Sequence, residues 1–471
     1  MKLVLLSGGS GKRLWPLSND TRSKQFLKVL HNSEGQYVSM VQRVWNQLSK
    51  VKLTNQTIIA TSKPQVNILQ NQLSIPPSAL VVEPTRRDTF AAIALASAFL
   101  YTVKNTSLEE VITVLPVDSY VKDCFFERLK DLEEAVHSSD VRLALLGVRP
   151  TSPSTKYGYI VPTVGNGNAV NKTLAVSHFI EKPDEQTAQH LLDQDALWNC
   201  GVFAFKLKYM ITMLHQLGLP TNYDQLLQRY VDLPMNSFDY EVVEKEKKIA
   251  VLPYEGTWKD IGTWNTLTEE MDSRLIGKGM LSDDSINTHL INELDIPVAV
   301  LGVKDAIVAV SPDGILVSNK EQSTRIKTMI HSFNLRPMYE ERRWGWYKVL
   351  DYTKLDDGNE VLTKRICIKK GKNLSYQMHF KRSEVWTVIK GTGEFVIDDQ
   401  FRQIRAGDVL QIPAGVKHAV KANADLEMIE VQTGSELIEE DIVRFYEVWN
   451  EIQAYINEHA KVSITAVNNV R

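Results

Sequence analysis

Cysteine is scarce in this sequence, and the three that occur, Cys124, Cys200 and Cys367, lie far apart without a CxxC pair. This spacing excludes a disulfide framework and a thiolate zinc site, and it is typical of a reducing compartment. Long apolar runs are also lacking. The apolar run in the opening segment, MKLVLLSGG, is too short for a signal peptide. No stretch approaches the ~20 apolar residues of a membrane span. We therefore expect a soluble, cytoplasmic protein with no membrane partner.

An excess of charge of one sign is missing as well. The 54 basic and 57 acidic side chains leave a net charge of −3, so the chain has no overall field that would hold a nucleic acid. We expect no nucleic-acid partner, and any phosphate site must be local. The length of 471 residues, with 43% hydrophobic side chains, predicts two or three folding units with a large core.

The first half alternates short apolar runs with stretches of helical spacing, a pattern that indicates an α/β fold with a mostly parallel sheet. The predicted buried strands are 3–6, 56–60, 111–117, 143–148 and 201–205, and the predicted helices are 40–48, 90–100 and 125–137. Ligands of such Rossmann-like sheets gather at the carboxyl ends of the strands. Functional residues are therefore expected just after these runs.

After about residue 280 the sequence pattern changes to short strand-like runs separated by Pro, Asp and Gly. This change predicts four segments: an α/β domain over 1–275, a short β-rich linking segment over 276–335, a β-barrel domain over 336–446, and a C-terminal helix and tail over 447–471. Strand-length runs joined by turns fill the third segment, as in a barrel or sandwich. The stretch from Glu439 to Glu458 has helical spacing.

A glycine-rich loop follows the first predicted strand directly, in the sequence LSGGSGKRLWPLS. Backbone N–H groups at the end of a strand can cradle phosphate. A Walker A loop would need Gly at Leu6 and Ser or Thr at Arg13, and a dinucleotide fingerprint would need Gly at Leu14, so both are excluded. Two adjacent cations, Lys12 and Arg13, with Lys24 further on, suit a triphosphate. The alternative is a plain strand-to-helix turn with basic surface residues.

Two aspartates follow apolar or tryptophan-rich segments: Asp118 in VLPVDS and Asp260 in WKDIGTW. Two such carboxylates can share one Mg²⁺, which prefers one or two carboxylates together with substrate phosphate oxygens. Taken separately, each aspartate is more often a helix cap or a turn residue. The glycine-rich loop in the same chain favours the metal interpretation.

In the β-rich half, Gln377 and His379 are two positions apart and therefore lie on one face of a strand. Glu384 follows after a short turn, and His418 is available from a distant strand. Imidazoles, a carboxylate and an amide oxygen make a site suited to Zn²⁺ or another divalent first-row metal. The alternative is that each histidine merely packs in the core or lies at the surface.

The first 270 residues resemble the nucleotidyltransferases that make sugar nucleotides, and specifically the bacterial mannose-1-phosphate guanylyltransferases. The matching segments are LSGGSGKRLWPLS with SKQF, EPTRRDT, VLPVDS, KYGYI, FIEKPD, WNCGVFAF, FDYEVVEK and WKDIGTW, in the family's order. The resemblance implies nucleotide or sugar-phosphate contacts from Ser7, Gly8, Gly9, Gly11, Lys12, Glu83, Arg87, Gly158, Glu181, Lys182 and Asn199. It implies phosphate stabilisation by Arg13 and Lys24, and Mg²⁺ held by Asp118 and Asp260.

Two positions depart from the pattern of this family, which usually has Asn at position 88 and His at position 119. Here Asp88 and Ser119 stand there instead. Asp88 is adjacent to Arg86 and Arg87 in sequence, and we expect it to pair with one of them. The alternative is that this carboxylate, near the nucleotide, weakens nucleotide binding.

The carboxyl half resembles type II phosphomannose isomerases, which are cupins fused behind a guanylyltransferase. The spaced residues Gly371, His379, Glu384, Gly391, Gly407, Pro413, Gly415 and His418 match both cupin motifs, with Gln377 in place of the usual first His. The family's QMHHHRAEHW reads QMHFKRSEVW here, so two flanking histidines are lost. Arg382 keeps its position, and we expect it to hold the phosphate.

The resemblance implies a cytoplasmic enzyme that makes GDP-mannose from GTP and mannose 1-phosphate, with a cupin that isomerises mannose 6-phosphate and fructose 6-phosphate. It also suggests a homodimer. Two alternatives are open: a guanylyltransferase whose metal-binding cupin is structural or regulatory, and a regulatory subunit that binds sugar nucleotides without making them. Retention of Asp118 and Asp260 favours the enzyme.

Overall fold

The computed structural model describes residues 1–9, 12–138, 140–163, 173–330 and 336–468. The chain divides into two compact units. The first comprises Met1–Val310 with Ile315–Ser332, and the second Ser311–Gly314 with Phe333–Arg471.

The first unit alternates strands and helices over most of its length. Its strands up to residue 260 are β1 (Lys2–Ser7), β2 (Leu30–His31), β3 (Tyr37–Val38), β4 (Thr57–Ser62), β5 (Leu80–Glu83), β6 (Val111–Pro116), β7 (Ser119–Val121), β8 (Leu143–Val148), β9 (Tyr159–Pro162), β10 (Leu174–Ile180), β11 (Leu197–Lys206), β12 (Ile249–Tyr254) and β13 (Trp258–Asp260). Its α-helices are α1 (Met40–Lys50), α2 (Val66–Leu73), α3 (Asp88–Thr102), α4 (Cys124–Ser138), α5 (Glu185–Leu192), α6 (Leu207–Gln216), α7 (Tyr223–Gln228) and α8 (Trp264–Thr268). A π-helical turn covers Asp239–Val243.

Nine of these strands form one sheet in the order β5-β4-β1-β6-β11-β8-β12-β10-β9. The strands β5, β4, β1 and β6 pair in parallel, as do β8 and β12. The predicted strand 201–205 is part of the longer β11, which runs antiparallel to both β6 and β8. The α/β class is confirmed, with a sheet that is mixed rather than uniformly parallel beyond β6.

Both faces of this sheet are covered, because alternate residues of β1 enter different cores. Leu3 and Leu5 pack with residues of α1 and α4, whereas Val4 packs with α3. Strands buried on both faces read as continuous apolar runs. This is why β1, β6 and β8 can be recognised from the sequence.

Short β-strands follow next in the chain. They are β14 (Leu275–Ile276), β15 (Gly279–Leu281), β16 (His289–Asn292), β17 (Val298–Val300), β18 (Ala306–Ser311) and β19 (Gly314–Asn319), followed by the short helix α9 (Ile326–Met329). The strands β14, β16 and β18 pair in parallel, as do β15 and β17.

The second unit is a β-barrel of two sheets. Its strands are β20 (Tyr339–Arg342), β21 (Gly345–Lys354), β22 (Glu360–Ile368), β23 (Tyr376–Met378), β24 (Arg382–Lys390), β25 (Thr392–Ile397), β26 (Gln400–Arg405), β27 (Val409–Ile412), β28 (His418–Ala422), β29 (Leu426–Gly434) and β30 (Val443–Tyr446). The sheets have the orders β20-β21-β22-β29-β24-β27 and β26-β25-β28-β23-β30. Trp386 and Phe395 are among the large side chains that fill the space between them.

The predicted helix over 439–458 is wrong at its start. Residues Val443–Tyr446 form β30, which pairs with β23, and the helix α10 spans Trp449–Asn468. Trp449, Ile452 and Ile456 pack against the outside of the barrel, and this apolar anchor fixes the helix. Within the described residues, no helix combines the length and the apolarity needed to cross a membrane.

Candidate functional site

The glycine-rich loop leaves the carboxyl end of β1 and is held by side chains from other segments. The Gly9 carbonyl accepts hydrogen bonds from Ser23 Oγ at 2.7 Å and Gln65 Nε2 at 3.0 Å. A Cβ at Gly8 would lie 3.1 Å from Glu83 Oε1, whereas one at Gly9 would meet no atom of the described residues within 4 Å. As far as the chain is described, the backbone at Gly9 therefore borders open space, as a phosphate cradle requires.

The two cations that follow the loop lie in a single 3-10 turn. Lys12 Nζ is 3.6 Å from the carboxylate of Asp20, and Arg13 is exposed. Ser7 is buried at the end of β1. The predicted loop residue Gly11 lies outside the described residues.

A cavity of about 230 Å³ opens between the loop and the start of α3. It is lined by Leu6, Gly8, Gly9, Ala60, Glu83, Arg86, Arg87, Asp88, Thr89, Ala92, Pro116 and Asp118. Glu83 Oε2 accepts a hydrogen bond from the Tyr230 hydroxyl at 2.6 Å, and burial raises the pKa of this carboxyl. Polar groups placed on an apolar wall suit the base or ribose end of a nucleotide.

The expected ion pair of Asp88 does not form among the described residues. Arg86 instead pairs with Asp20 at 3.0 Å, and Arg87 Nε donates to the carbonyl of Leu233 at 2.9 Å. Asp88 has a positive φ of 64° and accepts the N–H of the next residue at 2.7 Å. In this left-handed conformation the side chain bonds locally at the start of α3.

Asp118 and Asp260 are brought together by a two-stranded ribbon. The strands β7 and β13 pair antiparallel, with Asp260 opposite Ser119, so Asp118 is the residue just before the ribbon. Lys24 Nζ lies 3.0 Å from Asp118 Oδ2 and 3.3 Å from Asp260 Oδ1. The two carboxylates therefore converge on one cation, and Asp118 also lines the cavity beside the loop.

This arrangement suits a divalent ion. One ammonium group balances one of the two carboxylates, so a negative charge and hard oxygen donors remain. Burial alone would lower the pKa of Lys24, but the two aspartates together raise it. Lys24 is therefore a permanent cation. The predicted Mg²⁺ ligands fit the ion.

The predicted sugar-phosphate residues form a second group beside Gly158. The Asn199 N–H donates to the Gly158 carbonyl at 2.8 Å, and Lys182 Nζ lies 2.5 Å from Glu181 Oε1. Burial and the nearby charge of Asp239 raise the pKa of Glu181 to about 7. A Cβ at Gly158 would lie only 2.3 Å from Glu181 Oε2. Any larger residue at this position would therefore have to displace the Glu181 carboxyl.

Glu181 Oε2 is buried and has no hydrogen-bond partner among the described residues. An unsatisfied buried oxygen is costly unless a ligand or water pairs with it. Asp239, which accepts from Asn199 Nδ2 at 2.6 Å, also belongs to this group. Sequence reasoning noted its segment, FDYEVVEK, but did not single out this residue.

In the second unit, His379, Glu384 and His418 come together inside the barrel, and one ligand atom from each lies within 4.8 Å of the others. The Glu384 carboxylate is 3.4 Å from His379 Nε2 and 3.6 Å from His418 Nε2. Burial lowers the pKa of His379 to about 4 and lowers that of His418. Both imidazoles are therefore neutral, the form that binds a metal.

The outer nitrogens of both histidines are fixed by backbone carbonyls. His379 Nδ1 lies 2.6 Å from the carbonyl of Asp441, and His418 Nδ1 lies 3.0 Å from that of Val416. Nε2 of His418 is buried without a hydrogen-bond partner among the described residues. Such an orphaned imidazole nitrogen beside a carboxylate fits a divalent metal.

Gln377 lies at the edge of this cluster. Its Oε1 accepts from Ser375 Oγ at 2.6 Å, and its Nε2 is 3.4 Å from His379 Nε2. A half-turn of the amide would direct the oxygen towards the cluster, as a metal ligand requires.

Arg382, predicted to hold a phosphate, lies deep beside the same cluster. Its Nε donates to Glu384 Oε1 at 2.9 Å, and its other nitrogens lie 3.1 Å from the Ile438 carbonyl and 3.2 Å from His379 Nε2. In this arrangement Arg382 orients a predicted metal ligand, and its phosphate role stays a prediction.

Sequence reasoning missed two residues that hold Glu384, Trp386 on its own strand and Gln432 on the neighbouring strand β29. Trp386 Nε1 donates to Glu384 Oε2 at 3.1 Å and to Glu430 Oε1 at 3.0 Å. Gln432 Nε2 donates to Glu384 Oε1 at 3.3 Å and to Glu430 Oε2 at 2.9 Å. Burial and the charge of Glu384 raise the pKa of Glu430 to about 8. Glu430 is therefore protonated at neutral pH.

Known families and proteins match both units. The family described as Nucleotidyl transferase matches residues 2–275, and the family described as Mannose-6-phosphate isomerase C-terminal matches residues 331–447. The xanthan biosynthesis protein XanB of Xanthomonas campestris pv. campestris (strain B100) is 31% identical, over 95% of this chain and 98% of that protein. A mannose-1-phosphate guanylyltransferase of Salmonella montevideo is also 31% identical, over 94% of this chain and 98% of its own length.

A solved structure is similar as well. It is described as a mannose-1-phosphate geranyltransferase from Thermus thermophilus, and it aligns with a TM-score of 0.58 and 28% identity over 71% of this chain and 99% of that one. Each family match covers one of the two described sites. The protein is therefore an enzyme in which a nucleotidyl transferase domain and a cupin-like barrel are joined in one chain. The chain belongs to the nucleotidyl transferase family, within the group that carries a mannose-6-phosphate isomerase C-terminal domain. The resemblance inferred from the motifs is confirmed.

Proposed function

We propose that the protein makes GDP-mannose from GTP and mannose 1-phosphate and releases pyrophosphate. The observation that carries this proposal is the convergence of Asp118 and Asp260 on Lys24 beside the glycine-rich loop. The similarity to the Salmonella mannose-1-phosphate guanylyltransferase supports this choice of substrates.

In this reaction a phosphate oxygen of mannose 1-phosphate attacks the α-phosphorus of GTP, and the bond to the leaving pyrophosphate breaks. The protein must align two anions and offset their charge, which needs no covalent nucleophile. Gly8 and Gly9 offer backbone N–H groups to the nucleotide phosphates, with Arg13 and Lys24 as cations. Asp118 and Asp260 would hold Mg²⁺, which supplies positive charge to the phosphate oxygens when bound.

The acceptor is proposed to lie against Glu181, Lys182 and Asn199. Lys182 offers a charge to the phosphate, and the buried carboxyl of Glu181 offers a hydrogen-bond partner to a sugar hydroxyl. A site built to pair with a hydroxyl rejects a sugar that lacks it, because the buried group is then left unpaired.

The experiment is a panel of nucleoside triphosphates and hexose 1-phosphates in which pyrophosphate release is measured. GTP with mannose 1-phosphate is expected to react fastest. Absence of turnover with this pair would reject the proposed substrates, and binding of GDP-mannose without turnover of any pair would favour a regulatory subunit.

A second activity is proposed for the barrel: isomerisation of mannose 6-phosphate to fructose 6-phosphate. The cluster of His379, Glu384 and His418 supports it. The reaction moves a proton between neighbouring carbons through an enediol, and a divalent metal such as Zn²⁺ would stabilise the negative charge on the sugar oxygens when bound. Fructose 6-phosphate formation is measured with added Zn²⁺, Co²⁺ or Mn²⁺. No product with any of them would leave the barrel a structural or regulatory role.

The remaining proposals concern organisation. We propose a cytoplasmic homodimer, with functional domain limits at 1–275, 276–335, 336–446 and 447–471. Sedimentation analysis of the full chain tests the dimer, and a mass equal to one chain would reject it.

A further inference from the structure

One short segment contacts all three residues proposed to face the sugar phosphate. It comprises the π-helical turn Asp239–Val243 and the residue after it, Glu244, and we call it the acceptor clamp. Asp239 accepts from Asn199 Nδ2 at 2.6 Å. Glu244 Oε1 accepts the backbone N–H of Glu181 at 3.0 Å. The ring of Tyr240 lies 5.7 Å from Lys182 Nζ, within the range of a cation-π contact.

The clamp is fixed to the sheet strand that carries Asn199. Phe238, directly before it, is fully buried and packs against Phe203 of β11 with ring centroids 4.8 Å apart. Its backbone N–H donates to Thr89 Oγ1 at 2.8 Å. A π-helical turn is uncommon and often marks a functional site. Here Asp239 at the start of the turn contacts Asn199, and Glu244 directly after its end contacts Glu181.

The bond from Asp239 determines what Asn199 can offer a ligand. Asn199 Oδ1 already accepts the Gly201 N–H at 3.0 Å, and one hydrogen of Nδ2 is used by Asp239. An amide has two N–H donors, so one remains. Asn199 therefore keeps one N–H donor for a ligand, and a donor suits a phosphate or hydroxyl oxygen.

We propose that the acceptor clamp is the positioning element of the sugar-phosphate site, with Asp239 holding Asn199 in its donor orientation. This inference rests on the proposed transferase function. It predicts that Asp239 and Glu244 affect binding of the sugar phosphate but not binding of the nucleotide.

The test is a comparison of Michaelis constants for the two substrates in Asp239→Ala, Asp239→Asn and Glu244→Ala. Losing a hydrogen bond to a charged group costs enough to raise the KM for the hexose 1-phosphate about tenfold or more. The KM for the nucleotide is expected to stay unchanged. Asp239→Asn keeps an oxygen that can accept from Asn199, so it is expected to rescue most of the loss.

The matched control is Lys245→Gln, at the residue directly after the clamp. Lys245 is largely exposed and its ammonium pairs at 2.7 Å with Glu241, a carboxylate that does not belong to the proposed substrate sites. This variant is expected to leave both Michaelis constants unchanged. Thermal unfolding of each variant identifies any loss of fold, and Glu244→Ala carries the test if Asp239→Ala does not fold.

Two results would overturn the proposal: equal increases in both Michaelis constants, or a hexose 1-phosphate KM that is unchanged in both Asp239→Ala and Glu244→Ala. The measurement uses whichever substrate pair the wild type turns over fastest. A failure of the GTP and mannose 1-phosphate assignment is therefore seen in the wild type, whereas a failure of the clamp is seen only in the variants.

Discussion

The carboxylates of Asp118 and Asp260 share one ammonium group, that of Lys24, at 3.0 and 3.3 Å. The two aspartates come from segments far apart in the sequence, and the pairing of β7 with β13 brings them to one point. The proposed transfer chemistry depends on this convergence.

Replacing either aspartate by asparagine is expected to remove the transferase activity. Asp118→Asn or Asp260→Asn takes one of the two charges that would hold Mg²⁺, and a loss of about 100-fold or more in the rate of pyrophosphate release follows. Circular dichroism is expected to show an intact fold, because the substitutions keep the side-chain shape. An unchanged rate in either variant would contradict the metal assignment.

Removing the cation between the aspartates is expected to change how Mg²⁺ affects stability. Lys24→Met leaves two carboxylates close together without a counter-ion, so its thermal midpoint falls without Mg²⁺. Added Mg²⁺ is expected to raise the midpoint more in Lys24→Met than in the wild type, because no ammonium competes for the carboxylates. Lys24→Arg keeps the charge and is the control. Equal Mg²⁺ shifts in Lys24→Met and the wild type would show that the ion binds elsewhere.

The buried carboxyl of Glu181 is expected to make stability depend on pH. Its pKa is about 7 in the folded protein against 4.5 ordinarily. Between these values the unfolded state binds fewer protons, so stability falls as the pH rises. Glu181→Gln lacks this fall, and its unfolding midpoint relative to the wild type is expected to increase from pH 4.5 to pH 7.

The control for this pH dependence is Glu109→Gln. Glu109 is an exposed carboxylate whose pKa is lowered by its bonds to Lys208 and Lys206. Its substitution should therefore not gain stability relative to the wild type as the pH rises. If both variants respond alike, the pH dependence does not arise from Glu181.

The barrel cluster is expected to act separately from the transferase site. His379→Ala removes one of three closely placed ligands, so bound metal measured by mass spectrometry is expected to fall, together with any isomerase activity. Pyrophosphate release should be unchanged. Loss of both activities with an intact fold would mean that the two sites are coupled.

The two buried glutamates of the barrel are expected to respond differently to the same substitution. Glu430 is protonated at neutral pH, so Glu430→Gln replaces a neutral group by a neutral group and costs less than about 1 kcal/mol in the free energy of unfolding. Glu384→Gln leaves the buried Arg382 without its carboxylate and costs about 3–5 kcal/mol. Denaturant unfolding at pH 7 measures both, and equal costs would contradict the assigned protonation states.

The sequence allowed the central strands to be predicted because burial on both faces leaves a plain apolar signal. The predicted run 143–148 coincides with β8, and 3–6 lies within β1. The strand β10 was not predicted. Most of its residues alternate between exposed and half-buried positions, so its apolar signal is weak.

In β29, two polar residues occupy inward-facing positions where the alternating pattern normally has apolar residues. Glu430 and Gln432 point into the barrel and are buried, although they are the polar members of their segment. A period-two pattern would normally place the apolar residues inside. The polar pair is inside because it holds Glu384, so only the structure reveals its role. The candidate metal residues were found because their types and spacing are unusual on a strand.

The ribbon of β7 and β13 is only three residues long on each side, and its pairing aligns the two aspartates across the cleft. A single inserted or deleted residue there would slide one strand by ~3.3 Å and turn its side chains to the opposite face. In laboratory evolution, active variants of this enzyme should therefore carry substitutions in this ribbon but no insertions or deletions.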